Sequence, residues 1–197
     1  MPRAPGQIDE LKSQAILDAA IDLFGRKGAK ASMAEIARLA GVSKQTLYNR
    51  YPSKAELARA LLTQRSMTIT AQLDVERDAE QTLAIVGEAL LTRTLHKNSA
   101  DHLRALAQIS REDTALTQAV FEAGPAQSIS RISDWLHKQT KAGQLSVTNP
   151  DAASEIFIGM LLGHSPLRLI LGLEPSQTDA KAHATEVARR FIRAYAP

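Results

Sequence analysis

Residues 32–51 read SMAEIARLAGVSKQTLYNRY, and the reading of that stretch decides the fold. Met33, Ile36, Ala37 and Ala40 recur at i, i+3, i+4 and i+7, which gives one short helix a narrow apolar face. Ser32 precedes that helix and Glu35 follows three residues on. Together they form an S-x-x-E capping box, which starts a helix by satisfying two otherwise orphaned amides. Gly41-Val42-Ser43 interrupts the pattern, and Lys44 to Tyr51 begins a second short helix that Pro52 ends. A second box, Ser53 to Glu56, opens the next element. Two short helices joined by a tight, glycine-containing turn outline a helix-turn-helix.

The second helix carries polar residues that no core needs. Leu47 points to a three-helix core with Val42 beside it. Gln45, Tyr48 and Asn49 lie at i, i+3 and i+4 and so share one outward face, with Ser43 at the helix start and Lys44 and Thr46 flanking. Gln and Asn side chains can make paired hydrogen bonds to adenine, Lys suits guanine or phosphate, and Thr can meet a thymine methyl. Ser32, Tyr51 and Lys54 stand at helix ends beside that face, where hydroxyls, amides and an ammonium suit phosphate oxygens. The candidate DNA contacts are therefore Ser32, Ser43, Lys44, Gln45, Thr46, Tyr48, Asn49, Tyr51 and Lys54.

Charge distribution agrees. The net charge is +3, but residues 1–65 hold 11 basic and 6 acidic side chains while the remainder holds 13 and 15. The basic excess sits on the third of the chain that holds the helix-turn-helix, as an electrostatic footprint on nucleic acid would. A hydrophobic share of 44% supports a globular core. With no cysteine, disulfides and thiolate metal sites are excluded. The histidines at 96, 102, 137, 164 and 183 never pair at i+3 or i+4, so no metal site is expected. Phosphate-loop, dinucleotide and nucleophile-elbow motifs do not occur, so neither catalysis nor a cofactor is expected. The N-terminus lacks the apolar run of a signal peptide. The most apolar stretch, Ile156 to Gly172, is interrupted by His164, Pro166 and Arg168 and is short of the ~20 residues a membrane span needs. A cytoplasmic, nucleoid-associated protein with no membrane partner is the expectation.

Outward from the opening stretch, every periodic segment is helical. Met1 to Gly6 is expected to be a disordered arm, and Ile16, Ala19, Ala20, Leu23 and Phe24 mark a helix from about Gln7 to Lys27 that Gly28 stops. Helices follow from about Lys54 toward Leu73, over Leu83–Thr94, over Leu103–Ser110, and over Leu116–Ala123 with Gly124-Pro125 as a break. The next contains Ile129, Ile132, Trp135 and Leu136. Asn149-Pro150-Asp151 reads as an N-cap with Pro in the first turn, opening a long apolar helix to Gly172 that Pro166 should kink. Asp179–Tyr195 is the last. The chain is all-α: a helix-turn-helix domain over residues 1–53 and a helical effector-binding and dimerisation domain over 54–197.

Residues 16–57, with the pattern I-L-D-A-A-x-x-L-F-x-x-x-G-x-x-x-S-x-x-x-I-A-x-x-A-G-V-S-K-Q-T-L-Y-N-R-Y-P-S-K-A-E-L, resemble the N-terminal domain of TetR-type transcriptional regulators. The resemblance implies that Ser32 and Lys54 contact phosphates, that Lys44 to Asn49 read the major groove, and that Tyr51 braces the backbone. Gln45 stands where many members have Gly, and Pro52 where many have Phe, so the operator sequence does not carry over.

One helix-turn-helix covers a single half-site, so a homodimer on a palindromic double-stranded operator is expected. The last two long helices are the candidate interface, and the resemblance implies that they pair across a twofold axis. Gly159 and Gly163 allow close approach, and Phe157, Leu161, Val187 and Phe191 are the apolar positions expected there. The resemblance also implies an effector pocket within the middle helices, near which Arg104, Phe121, Trp135, Met160 and His164 are placed. Few charges lie on those apolar faces, so the expected ligand is a small, mainly apolar molecule that releases a repressor from DNA. The alternative is a helical dimer that binds DNA architecturally with no ligand.

Overall fold

The computed structural model describes residues 5–95, 100, 103, 114–175 and 179–197. The described residues form an all-α fold, with no strand among them. Helix α1 (Pro5–Lys27) is followed by a short 3-10 turn and by α2 (Met33–Leu39), α3 (Lys44–Arg50) and α4 (Lys54–Thr70). The helices continue with α5 (Ala79–Thr94), α6 (Thr114–Phe121), α7 (Gln127–Lys141), α8 (Pro150–Leu162), α9 (Ser165–Ile170) and α10 (Ala180–Ala194). Helix α1 already includes Pro5 and Gly6, so the expected arm is shorter, and Arg104 and most of the segment Leu103–Ser110 lie outside the described residues.

Two cores hold these helices. The first joins Ile16, Ala20 and Leu23 of α1 to Met33, Ile36 and Ala37 of α2, Leu47 of α3, and Leu57 and Leu61 of α4. The second joins Leu83, Val86 and Leu91 of α5, Ile132, Trp135 and Leu136 of α7, Phe157 and Leu161 of α8, and Val187 and Phe191 of α10. Helix α4 belongs to both parts: its first two turns complete the first core, and farther along it packs on α6 and α7. There the Ser66 and Ser128 hydroxyls pair at 2.8 Å in a buried contact.

Local chemistry sets the helix ends. Asp78, Asn149 and Asp179 each cap a helix by accepting from the amide three residues on, at 3.0, 3.1 and 3.0 Å. Gly28, Gly41 and Gly143 take positive φ of 55°, 66° and 70° where helices stop, a conformation that side chains with a Cβ avoid.

Two expectations about proline are corrected. Gly124-Pro125 does not close a helix. A five-residue π turn, Glu122–Ala126, carries α6 directly into α7 with Pro125 inside it, because the wider turn removes the need for the amide proline lacks. The long helix to Gly172 is likewise two helices. Gly163, at φ 49° and ψ −132°, ends α8, and Pro166 falls in the first turn of α9, where no amide is needed.

Among the described residues, helices α5 and α10 make the most extensive helix pair, and Gly87 permits the packing. A Cβ there would lie 2.9 Å from Leu161 Cδ2 and 3.3 Å from Ala184 Cβ. Both neighbours are fully buried, so neither can swing away. Gly87→Val is therefore expected to destabilise the protein by about 1–3 kcal/mol through overpacking. A urea midpoint that falls with an unchanged slope would show this.

Candidate nucleic-acid interface

A seven-residue helix is too short to hold itself together in water, so tertiary anchors fix α3. Leu47 is fully buried in the first core. At the helix start the Ser43 hydroxyl accepts the Thr46 amide at 3.0 Å and lies 2.8 Å from the Thr46 hydroxyl. At its end the Tyr51 amide bonds the Leu47 carbonyl at 2.9 Å, and the half-buried Tyr51 ring packs on the core. Arg50 Nη1 donates to Ser13 Oγ at 2.6 Å and ties α3 to α1. Sequence reasoning passed over Arg50, which at the last turn of a polar helix gives no local sign of a partner 37 residues away.

What faces outward is the polar set. Ser32, Ser43, Lys44, Gln45, Tyr48 and Asn49 are exposed, and Thr46, Tyr51 and Lys54 are half-buried. The structure thus brings Lys44, Gln45, Tyr48 and Asn49 together on one solvent face of α3. Gln45 Nε2 donates to Asn49 Oδ1 at 2.7 Å. That bond leaves an amide oxygen on one residue and an amide nitrogen on the other, pointing from the same face. Tyr48 is 45% exposed, a large aromatic surface for a monomeric helix to leave in water.

Helix α2 is set by the first capping box in full. Glu35 N donates to Ser32 Oγ at 3.2 Å and Ser32 N donates back to Glu35 Oε2 at 3.0 Å. The other Glu35 oxygen takes an ion pair from Lys27 at the end of α1. That pair, with the Ser32 donors, holds the Glu35 carboxyl down from 4.5 to about 2. Its contribution to stability is complete above about pH 4.5 and is lost as pH falls through about 2. Glu35→Gln should therefore flatten acid unfolding across that window, followed by circular dichroism. The second box is formed in its forward half: Ser53 Oγ accepts the Glu56 amide at 3.1 Å, while the Glu56 carboxylate sits 3.7 Å from Arg59.

The residues expected at the dimer contact and the pocket fare differently. Phe157, Leu161, Val187 and Phe191 are buried by their own chain, and Phe157 meets Phe191 edge-on at 5.3 Å. A side chain with no exposed surface has none to give a partner, so these four belong to the protomer core. Gly159 and Gly163 are exposed on α8 and at its end. Exposed beside them are Ile156, Met160, Leu167, Ile170 and Leu171. Among the pocket candidates Trp135 is core, while Phe121, Met160 and His164 are exposed. None of those four lines the cleft of about 1160 Å³ that lies between α1, α4 and α5. No group of three or more potential metal ligands occurs among the described residues, and no described helix is long and apolar enough to cross a membrane.

With this geometry in view, comparison with known proteins is direct. Residues 16–61 match the model of bacterial regulatory proteins of the tetR family, and residues 81–197 match that of the C-terminal domain of AefR-like transcriptional repressors. The chain is 28% identical over 190 residues to the uncharacterized HTH-type transcriptional regulator YvkB of Bacillus subtilis (strain 168), covering 92% of this chain and 97% of that one. Among solved structures it resembles the flavonoid-responsive regulator FrrA, with TM-score 0.67, 28% identity, and coverage of 94% and 97%. A TetR transcriptional regulator from Agrobacterium tumefaciens shares the fold at TM-score 0.70 and 24% identity, with 98% and 96% covered.

Proposed function

The chain belongs to the TetR family of transcriptional regulators, a family of DNA-binding proteins rather than enzymes, and from that premise we propose that it is a homodimeric repressor released from a palindromic operator by a small, mainly apolar ligand. The observation that carries the DNA half of this reading is the outward face of α3. Lys44, Gln45, Tyr48 and Asn49 are held there by one buried leucine and by caps at both ends.

Residues 1–53 form the reading head and 54–197 the controlling domain, with α4 as the element common to both. On α3 the hydrogen-bonded Gln45–Asn49 pair offers one acceptor and one donor. Adenine presents the complement, an N6 donor beside an N7 acceptor, in the major groove. Ser32, Ser43, Tyr51 and Lys54 stand beside this face as phosphate contacts, with Thr46 reading from its edge. The twofold contact is made by the exposed apolar side of α8 and α9, where Ile156, Gly159, Met160, Gly163 and Leu167 lie, rather than by the buried positions behind it. The ligand half of the reading is supported by membership of the family and by the likeness to a regulator described as flavonoid-responsive. A cytoplasmic protein associated with the nucleoid follows from the same function.

The test is binding to a duplex selected from random sequence, titrated with salt. Log K should fall linearly with log salt, with a slope of about −0.9 for each phosphate neutralised. Lys44→Ala and Lys54→Ala should each flatten that slope by roughly one contact. A protein that selects no sequence, or whose salt slope ignores both changes, would sink the proposal.

A further inference from the structure

We propose, resting on the ligand-responsive reading above, that the signal enters at the cleft between α1, α4 and α5, and that the ligand is a monoanion: one carboxylate on an apolar body.

The cleft measures about 1160 Å³, enough for a ligand of ordinary drug size. Arg65 and Arg93 stand on one part of its wall. The Arg65 Nε is buried and has no hydrogen-bond partner, and a buried donor left unmatched is costly to the fold. Burial, and then the like-charged Arg93, pull the Arg65 pKa down to about 10. An anion seated against the guanidinium would offset both the burial cost of its charge and the repulsion. A carboxylate suits best, because its two oxygens match the planar fork of a guanidinium.

The rest of the lining sets the charge and body of the ligand. Arg26, Glu88 and Asp22 also border the cleft; Asp22 is paired with Arg26 and Glu88 offsets one of the other two arginines, so a single negative charge on the ligand balances the lining. Ile21, Ile69, Ile85 and Ala89 provide the apolar surface. The position couples the site to DNA. Helix α1 contributes Gln14 and Ile21 to the wall, and Gln64 of α4 donates to Gln14 at 2.9 Å across it. One residue before Gln14, Ser13 holds Arg50 of α3. A ligand that shifts α1 against α4 therefore moves the recognition helix, and its differential affinity for the two arrangements would set the response.

Calorimetry on the full chain with decanoate and 2-naphthoate, against decan-1-ol and 2-naphthalenemethanol, tests this. At least one acid should bind ten or more times tighter than its alcohol. Arg65→Gln should lose that tenfold preference and leave alcohol binding unchanged. Ala89→Phe, which puts a ring into the cleft and keeps the arginine, should weaken acid and alcohol alike. The selected operator duplex is assayed alongside. Wild-type protein that holds the duplex but binds neither acid overturns the cleft proposal alone, as do acid affinities unaffected by both substitutions. Wild-type protein that holds no duplex overturns the reading on which it rests.

Discussion

Replacing Phe157 by alanine is expected to destabilise the protomer by about 3–5 kcal/mol, the usual cost of emptying an aromatic site in a core. Phe157 is fully buried within one chain, and its ring meets Phe191 edge-on at 5.3 Å, with Phe191 in turn 4.7 Å from Tyr195. Removing the ring strips contact from α8 and α10 together, so the cavity cannot be closed by moving one of them. Against a total stability of roughly 5–15 kcal/mol, this is a large fraction. The size of the loss should not depend on protein concentration, because the lost contacts lie inside one chain. Met160→Asp, on the exposed side of α8, is expected to do the reverse. It should leave each protomer folded and weaken the dimer, so that sedimentation shows monomer at loading concentrations where wild type stays dimeric. If Phe157→Ala acts only through dissociation, the division of α8 into a core side and a contact side is wrong.

The second large effect is at Leu47. Its replacement by alanine should cost about 2–5 kcal/mol, and the loss should fall on DNA binding more heavily than on the fold as a whole. Helix α3 has seven residues and a single buried side chain. Its other anchors include the Ser43 cap, the Tyr51 amide and half-buried ring, and the Arg50–Ser13 bond. None replaces the buried leucine at the centre of the helix, and a helix of this length has no stability of its own. The second core, built from α5, α7, α8 and α10, does not include Leu47. The expected result is near-native helix content by circular dichroism with operator binding lost. Operator binding at wild-type strength would mean that α3 is positioned by something other than the first core.

The reading head was legible because its determinants are local. Capping residues, the glycine turn and the i, i+3, i+4 pattern all act within one or two turns, so Ser32, Gly41, Ser43 and Leu47 can be placed from sequence spacing alone. The C-terminal part is governed by contacts between distant segments. Apolar residues all round α8 signal burial, but periodicity cannot say whether a side is covered by the same chain or by a second one. Phe157 and Leu161, expected at a partner contact, are instead buried within their own chain, which periodicity alone could not distinguish. Pro125 and Pro166 misled in a related way, since a proline costs little where a turn widens or a helix begins, and only the backbone shows which applies. Arg65 left one trace: it continues the Leu57, Leu61 stripe at i+8, where an apolar residue would be expected. A charged residue on an apolar stripe calls for a partner or a polar surrounding, and spacing alone does not say which.

The central claim is that the outer face of α3 reads bases. Its most direct test is the preference for the selected operator over a scrambled duplex at fixed salt, measured by fluorescence anisotropy for wild type, Gln45→Ala and Asn49→Ala. Each substitution should remove about 1–3 kcal/mol of preference and leave the affinity for scrambled DNA, which rests on phosphate contacts, nearly unchanged. Wild-type preference in both variants would contradict the account.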